Sequence, residues 1–249
     1  YADEVPPSLL RASRLLETVT PAAMEAAREE LGQVLQRENE TIELQCSSIG
    51  HSHLDLIFLW PERETIRKGA RTYSTALYLM EKYPFYKFGC SQPQIYVWMR
   101  DNYPSIYRRI KEREKEGRWE CQGCFWVEMD TNLPSGESLV RQILYGKRFF
   151  MQEFGKEMKV GFLPDVFGYS AALPQLLVKS GTPYFMTQKL SMNDTNRFPH
   201  NNFIWKGIDG SEVYACVPPT HFITWNMPSQ IQENWEAYQD KNIGGQTMS

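Results

Sequence analysis

The sequence predicts an α/β protein in which parallel strands alternate with crossover helices. Short β-branched or aromatic runs alternate with segments of helical periodicity along most of the chain. Stretches that carry His or Asp follow the first, third and fourth predicted strands, at the strand ends where α/β barrels and open α/β sheets place their sites. The length of 249 residues suits one large α/β barrel or two small domains.

The first 40 residues form a separate helical segment in this prediction. Helical periodicity extends over residues 8–17 and 21–37. Pro21 occupies a first-turn position that favours proline, and Thr20 before it is a suitable N-cap. We therefore predict a short helical segment at 1–40, followed by an α/β domain at 41–249.

The elements of the second region follow in α/β order. The predicted strands are 41–49, 86–90, 119–127, 160–163, 183–187, 203–205 and 213–217. The predicted helices are one that begins at Pro61 and others at 93–99, 105–116, 136–154 and 173–180. Gly117 and Gly181 each follow a helix as a C′ glycine would, and Ser135 is a credible N-cap.

Composition excludes several classes of function. The formal net charge is −3 and no basic block is present, which argues against nucleic acid as a partner. No apolar run approaches the length of a membrane span, and the first residues carry no signal peptide. Five cysteines, an odd number, favour reduced thiols and a cytoplasmic location. The pair Cys121 and Cys124 is interpreted as core packing, in preference to a zinc knuckle or a redox pair.

His51, His53 and Asp55 follow the first predicted strand at a spacing of two residues. Because successive strand residues point to opposite faces, this spacing puts all three side chains on one side. Two imidazoles and a carboxylate are natural ligands for Zn²⁺ or a similar divalent ion. The alternative is a hydrogen-bonded histidine pair at the end of a strand.

Two aspartates stand in a comparable setting after later strands. Asp130 follows an aromatic strand and precedes a helix N-terminus, as a catalytic carboxylate on a βα loop would. Its alternative role is that of a turn residue, since Asp-Thr-Asn is good turn chemistry. Asp165 follows the fourth strand in the same way. His200 and His221 are predicted to be surface or hydrogen-bonded residues.

The apolar stretch 56–60 follows the His-rich segment directly. It is too apolar for a surface loop, and we predict that it lines the floor of a pocket.

Several blocks together carry a family resemblance. They are Ile49-Gly-His-Ser-His-Leu-Asp-Leu, Trp60-Pro, Trp126-Val-Glu-Met-Asp-Thr-Asn-Leu-Pro-Ser-Gly-Glu-Ser, Leu163-Pro-Asp-Val-Phe-Gly-Tyr-Ser and Phe185-Met-Thr-Gln-Lys. With these blocks in this order, the sequence from about 41 to 219 resembles glycoside hydrolase family 38, the α-mannosidases. It is most similar to the cytosolic, vacuolar and bacterial branch.

The resemblance implies a seven-stranded β/α barrel and an active-site zinc, or another divalent metal such as cobalt. His53 and Asp55 are the implied ligands, and Asp130 is the implied third ligand and nucleophile. The family's fourth ligand and its acid/base lie further along. We therefore expect the chain to be an N-terminal portion, truncated at its C-terminal end, with little activity alone.

The implied activity is that of a retaining, exo-acting α-mannosidase that hydrolyses terminal α-mannosides of glycans. Phe58, where the family usually has Trp, is expected to bind substrate together with Asp165 and Lys189. His51 is expected to support the ligands from behind. The implied location is cytoplasmic or vacuolar, and the chain could form a homo-oligomer.

Two other functions fit parts of the sequence. The His-x-His strand end also suits a metal-dependent amidohydrolase or polysaccharide deacetylase, in which zinc-bound water attacks an amide or ester. A carbohydrate-binding module with an incomplete site is the second alternative.

Overall fold

The computed structural model describes residues 11–16, 19–35, 47–193, 195–196, 198–218 and 228–238. The chain divides into two compact units, residues 1–46 and 47–249. The predicted boundary between residues 40 and 41, and positions 41–46 of the first predicted strand, lie outside the described residues.

The described residues of the first unit include two helical stretches. Residues 11–15 are helical, and helix α1 extends over Pro21–Leu35. The hydroxyl of Thr20 accepts a hydrogen bond from the backbone N–H of Ala23 at 3.1 Å, which satisfies one of the free donors at the helix start. The predicted cap is therefore confirmed. An ion pair joins Arg11 to Glu30 within this unit.

The second unit contains the α/β part of the chain. Its strands are β1 Gly50–His51, β2 Phe88–Cys90, β3 Trp119–Cys121, β4 Val160–Phe162, β5 Tyr184–Met186, β6 Asn202–Lys206 and β7 Glu212–Cys216. Its helices are α2 Glu62–Lys82, α3 Pro93–Asn102, α4 Pro104–Lys115, α5 Gly136–Phe154, α6 Leu173–Lys179 and α7 Pro228–Ala237, with a 3₁₀ turn at Lys189–Ser191.

The strands form two sheets. The first has the order β1-β2-β3 and is entirely parallel, and the second has the order β4-β5-β7-β6. Strands β4, β5 and β7 are parallel, whereas β6 is antiparallel to β7. The connection between β6 and β7, residues 207–211, is too short for the crossover that a parallel pair requires. The α/β class is confirmed, but in the described part of the chain neither sheet closes into the expected seven-stranded barrel.

The predicted strands are longer than the observed ladders. The stretch 119–127 pairs only over Trp119–Cys121, because Gly123 adopts a φ of +73° and turns the chain out of the sheet. Beyond it, the backbone N–H of Val127 bonds to the side chain of Gln142 on α5. Of the first predicted strand, the ladder includes Gly50 onward, and residues 47–49 have no strand geometry.

The helix limits agree better with the prediction. Helix α5 has the predicted bounds, and the Ser135 hydroxyl accepts from the N–H of Ser138 at 3.3 Å. Gly117 has a φ of +71° after α4, as a C′ glycine should. Within the part of the chain that the structure describes, no helix combines the length and apolar character needed to cross a membrane.

An aromatic core fixes α2 and α3 against the first sheet. Tyr73 of α2 lies 5.0 Å from Trp119 of β3, ring centre to ring centre. The indole N–H of Trp119 donates to the Tyr96 hydroxyl at 2.9 Å, and that hydroxyl donates to the carbonyl of Cys90 at 2.9 Å. All three aromatic side chains are buried, and their polar atoms therefore keep hydrogen-bond partners.

The two sheets meet at the C-terminal ends of their strands. The ring of His51, at the end of β1, packs edge-on against Phe162 at the end of β4, with 5.4 Å between centroids. The Thr131 hydroxyl donates to the carbonyl of Gly168 and accepts from the N–H of Ser170, both at 3.0 Å. The loops after β1, β3 and β4 are thereby brought to one place.

Candidate active site

The segment after β1 is held by residues at the end of β2. The side chain of Gln92 donates to the carbonyl of Leu54 at 2.8 Å, and the thiol of Cys90 donates to the carbonyl of Ser52 at 3.7 Å. These contacts fix the backbone on either side of His53. The position from which the His53 side chain enters the site is thereby fixed.

His53 is the centre of a group of carboxylates. Its Nδ1 lies 2.6 Å from Oε2 of Glu128, and its Nε2 lies 3.2 Å from Oδ1 of Asp55 and 3.3 Å from Oδ2 of Asp165. The side chains of His53 and Asp165 are 10% and 16% exposed, and that of Asp55 is 39% exposed. The group is therefore open to solvent on the side of Asp55.

The donor set fits a divalent metal. The ligand atoms of His53, Asp55 and Asp165 all lie within 4.8 Å of one another. Ligands at about 2.0–2.2 Å in a tetrahedron stand roughly 3.3–3.6 Å apart, close to the two distances from Nε2 of His53. One imidazole and two carboxylates also form a plausible N/O set for a catalytic ion.

The electrostatics of the group are governed by the carboxylates. Burial lowers the pKa of His53, but the hydrogen bond and charge of Glu128, with the charges of Asp55 and Asp165, outweigh burial and raise the pKa to about 9. The charged imidazolium therefore offsets part of the negative charge of these carboxylates, as a bound cation would do.

His51 lies close to this group but has a different environment. Burial, aided by the positive charge of His53, lowers the pKa of His51 to about 4, so its ring is neutral at physiological pH. The ring packs against Phe162 and is not part of the three-residue ligand group.

Glu128 is a site residue that the sequence analysis missed. Its side chain is 5% exposed, and Oε1 accepts a hydrogen bond from the Ser91 hydroxyl at 2.7 Å. The available signal was a carboxylate between the aromatic end of the third predicted strand and Asp130. Its partner could not be inferred, because Ser91 and His53 reach it from other loops.

Asp165 and Lys189 form an ion pair inside the site. Oδ1 of Asp165 accepts from the Lys189 ammonium, while Oδ2 faces His53. The ammonium also lies 4.2 Å from the ring centre of Phe167, a side chain that is 72% exposed. Both residues were predicted to bind substrate, and both lie in the site.

Asp130 lies on the loop between β3 and α5, as predicted. Its side chain is exposed, and Oδ1 accepts from the backbone N–H groups of Asn132 and Leu133, both at 2.7 Å. This is the Asx-turn arrangement that the sequence analysis gave as the alternative. Asp130 is not part of the ligand group around His53, where Asp165 takes the third position.

The apolar stretch after Asp55 does not line a buried floor. Ile57, Phe58 and Leu59 are 62%, 61% and 81% exposed, so that prediction was wrong. At the two ends of the stretch, Leu56 packs against the hydrophobic core, and the indole N–H of Trp60 donates to the Thr65 hydroxyl at 3.1 Å. Exposure of Phe58 presents an open aromatic face to solvent.

The remaining histidines and cysteines fall outside the ligand group. His200 is exposed, as predicted, and His221 lies outside the described residues. Cys121 and Cys124 are buried and free, which confirms core packing.

The family model and the curated relatives that match this chain all point to one family of glycosyl hydrolases. The chain matches the glycosyl hydrolases family 38 N-terminal domain over residues 43–248. Alpha-mannosidase G of Dictyostelium discoideum is 49% identical over 197 residues, which cover 79% of this chain and 18% of that protein. Alpha-mannosidase 2C1 of Homo sapiens is 50% identical over 184 residues, 74% of this chain and 18% of that protein.

A solved structure shares the fold. The crystal structure of an alpha-mannosidase from Enterococcus faecalis V583 aligns with a TM-score of 0.67 and 22% identity, over 78% of this chain and 23% of that one. The chain spans 18% of the length of the two curated relatives. Because the family match covers most of the sequence, the chain belongs to glycoside hydrolase family 38.

Proposed function

We propose that this chain carries the metal-binding and nucleophile residues of an exo-acting, retaining α-mannosidase. The family and the names of the relatives support the activity. The observation that carries the proposal is the group formed by His53, Asp55 and Asp165, whose ligand atoms lie within 4.8 Å of one another.

His53, Asp55 and Asp165 would hold the metal, for which the N/O donors suit zinc, with cobalt as a substitute. A bound Zn²⁺ would supply Lewis-acid binding of sugar hydroxyls, by family resemblance O2 and O3 of mannose. The ligand role that the resemblance gives to Asp130 stays a prediction, since Asp165 has the third ligand atom in the described conformation.

Asp130 is proposed as the nucleophile. Its carboxylate is exposed, and the two backbone N–H groups that bond to Oδ1 fix its orientation. An ionised, oriented carboxylate can attack the anomeric carbon, with a second carboxyl group about 5–5.5 Å away as acid and then base. That arrangement would retain the anomeric configuration.

Substrate contacts are proposed for Phe58, Asp165 and Lys189. Phe58 offers an exposed ring on which an apolar sugar face could stack. The Lys189 ammonium, paired with Asp165, is a hydrogen-bond donor for a hydroxyl at the same site. His51, packed on Phe162, would support the ligand segment from behind.

The proposal extends to the barrel, the cellular location, the substrate and self-association. A seven-stranded barrel would unite the two parallel sets of strands whose ends already meet at His51 and Phe162. A cytoplasmic location is supported by the buried, reduced thiols of Cys90, Cys121 and Cys124. A glycan with terminal α-mannose is the proposed substrate, and self-association into a homo-oligomer is retained as a proposal.

The test is hydrolysis of an aryl α-mannoside by the protein at its natural length, with the product anomer followed by NMR. We expect α-mannose first, and covalent labelling of Asp130 by a fluorinated mannosyl trapping reagent. Asp101→Asn, at an exposed position on α3, is the control. Inversion, or a label on another carboxylate, would remove Asp130 from this role.

The two alternatives are not favoured by the family match. Release of acetate from an acetylated polysaccharide, without mannoside hydrolysis, would support the deacetylase. Binding of mannosides without turnover by the natural-length protein would support a binding module.

A further inference from the structure

Glu128 is a buried carboxylate that lies in the site but has no part in the proposed mechanism. Its Oε2 lies 2.6 Å from Nδ1 of His53, the ring nitrogen that faces away from the ligand group. Its Oε1 accepts from the Ser91 hydroxyl at 2.7 Å. Each oxygen of the carboxylate is thus in contact with a different loop of the site.

A second contact ties the backbone of Glu128 to the ligand segment. Its N–H donates to the side-chain oxygen of Gln92 at 3.1 Å, and the side-chain nitrogen of the same Gln92 donates to the carbonyl of Leu54 at 2.8 Å. Leu54 lies between His53 and Asp55, two of the proposed ligands. One buried amide therefore connects Glu128 to the backbone between both ligands.

Gln92 keeps this position at a cost. Gln92 is buried and has a φ of +66°, a value that residues other than glycine rarely adopt. Among the described residues, it is the single non-glycine residue with a positive φ. The hydrogen bonds to Leu54 and Glu128 give a reason for a glutamine at this place, where glycine would be less strained.

We infer that Glu128 is a positioning residue for His53. Its carboxylate holds the proton on Nδ1 and directs the lone pair of Nε2 toward the metal position between Asp55 and Asp165. A carboxylate on the outer nitrogen fixes the tautomer and the ring orientation of a metal-binding histidine and makes the ligand more basic. This inference rests on the proposed metal site.

Glu114 provides a comparison with Glu128, because it is a buried carboxylate outside the site. Glu114 on α4 is also a buried carboxylate, with 8% of its side chain exposed, and it pairs with Lys156 at 3.1 Å. Glu114 is not part of the ligand group. Glu114→Gln is therefore a matched control that loses a buried charge without touching the proposed site.

The test compares metal affinity in the full chain and its variants. Zn²⁺ affinity is measured by competition with a chelator, and Co²⁺ binding by its visible absorption. We expect Glu128→Gln to weaken both by about 10–100-fold and to shift the Co²⁺ spectrum, since the imidazole becomes a weaker donor. Ser91→Ala, which keeps the Glu128 charge, should weaken binding by less, roughly 2–5-fold.

The results distinguish failure of the proposed metal site from failure of the role inferred for Glu128. If the unaltered chain binds no metal, or if His53→Ala binds it as well as the unaltered chain, the metal site and the inference both fail. If His53→Ala loses the metal while Glu128→Gln keeps its affinity and Co²⁺ spectrum, the inference alone is wrong. Should Glu128→Gln not fold, Ser91→Ala decides, and unchanged affinity in it overturns the inference.

Discussion

Oδ2 of Asp165 lies 3.3 Å from Nε2 of His53 and joins the loop after β4 to the segment after β1. The two residues follow strands of different sheets. Asp55 Oδ1 lies 3.2 Å from the same nitrogen. Three potential ligand atoms therefore converge on one point near the solvent. Asp130, in contrast, uses Oδ1 to cap its own turn.

The roles of Asp165 and Asp130 can be separated by matched amide substitutions. We expect Asp165→Asn to weaken Zn²⁺ binding by at least tenfold, since the amide loses the negative charge that attracts the cation. Asp130→Asn should keep most of the affinity but lower kcat of the natural-length protein by several orders of magnitude, because an amide cannot serve as the nucleophile. Chelator competition and hydrolysis rates check the two effects. The reverse pattern would assign the third ligand to Asp130.

Metal binding should release a proton from His53. In the metal-free chain the pKa of His53 is raised from 6.5 to about 9, so its ring is charged at pH 7 and Nε2 must lose its proton to bind a metal. Affinity should therefore rise with pH, by about tenfold per unit well below the pKa of about 9, and level off above it. Calorimetry in buffers of different ionisation enthalpy measures the proton count. Release of no proton at pH 7 would contradict this prediction.

Lys189→Met should strengthen metal binding. The ammonium neutralises Asp165 and repels a cation at the same place, so its removal should increase Zn²⁺ affinity on the order of tenfold, about 1.4 kcal/mol. The same change should raise KM for an α-mannoside if Lys189 binds a hydroxyl. Lys159→Met, at an exposed position away from the site, serves as the control. Weaker zinc binding in Lys189→Met would mean that the ammonium orients Asp165 rather than competing with the metal.

Gly146 on α5 allows the helix to approach the loop that leads to Glu128 and Asp130. A Cβ at this position would lie 2.7 Å from the carbonyl carbon of Phe125, closer than packing permits. We expect Gly146→Ala to destabilise the fold by about 1–3 kcal/mol. Gly136→Ala at the start of α5, where a Cβ meets nothing within 4 Å, should have little effect. Urea unfolding of both variants measures the difference, and equal stabilities would show that the close approach is unimportant.

Local signals were sufficient for the helices. Ser135 as a cap and Gly155 with a φ of +65° mark the two ends of α5, and both act within a few residues of the sequence. The buried stripe of α2 was likewise visible as spacing, because Tyr73, Leu77 and Met80 recur with a helical period.

Strand pairing was predicted less well, since it depends on partners distant in sequence. The apolar stretch 119–127 is buried partly by α5 and not by a ladder, which periodicity alone does not reveal. The antiparallel β6–β7 pair could have been predicted, because Asp209-Gly210 between two strands is a hairpin signal.

The site was partly visible in the sequence. The spacing predicted His51, His53 and Asp55 as ligands, and the family resemblance implied His53 and Asp55. Asp165 was predicted from its position after a strand, but as a substrate contact and not as a ligand. The contact of Asp165 with His53 requires the two sheets to meet, and the contact of Glu128 requires three loops to converge. Neither follows from a local pattern.

His53 and Asp55 are expected to bind a divalent metal in this chain. Titration calorimetry with Zn²⁺ at pH 8 tests it most directly, with the unaltered chain, His53→Ala, Asp55→Ala and the exposed control Asp101→Asn compared under one condition. We expect one Zn²⁺ per chain for the unaltered protein and the control, and a loss of at least about 100-fold in affinity for each ligand variant. Unchanged stoichiometry and affinity in His53→Ala and Asp55→Ala, or no binding by the unaltered chain, would contradict it.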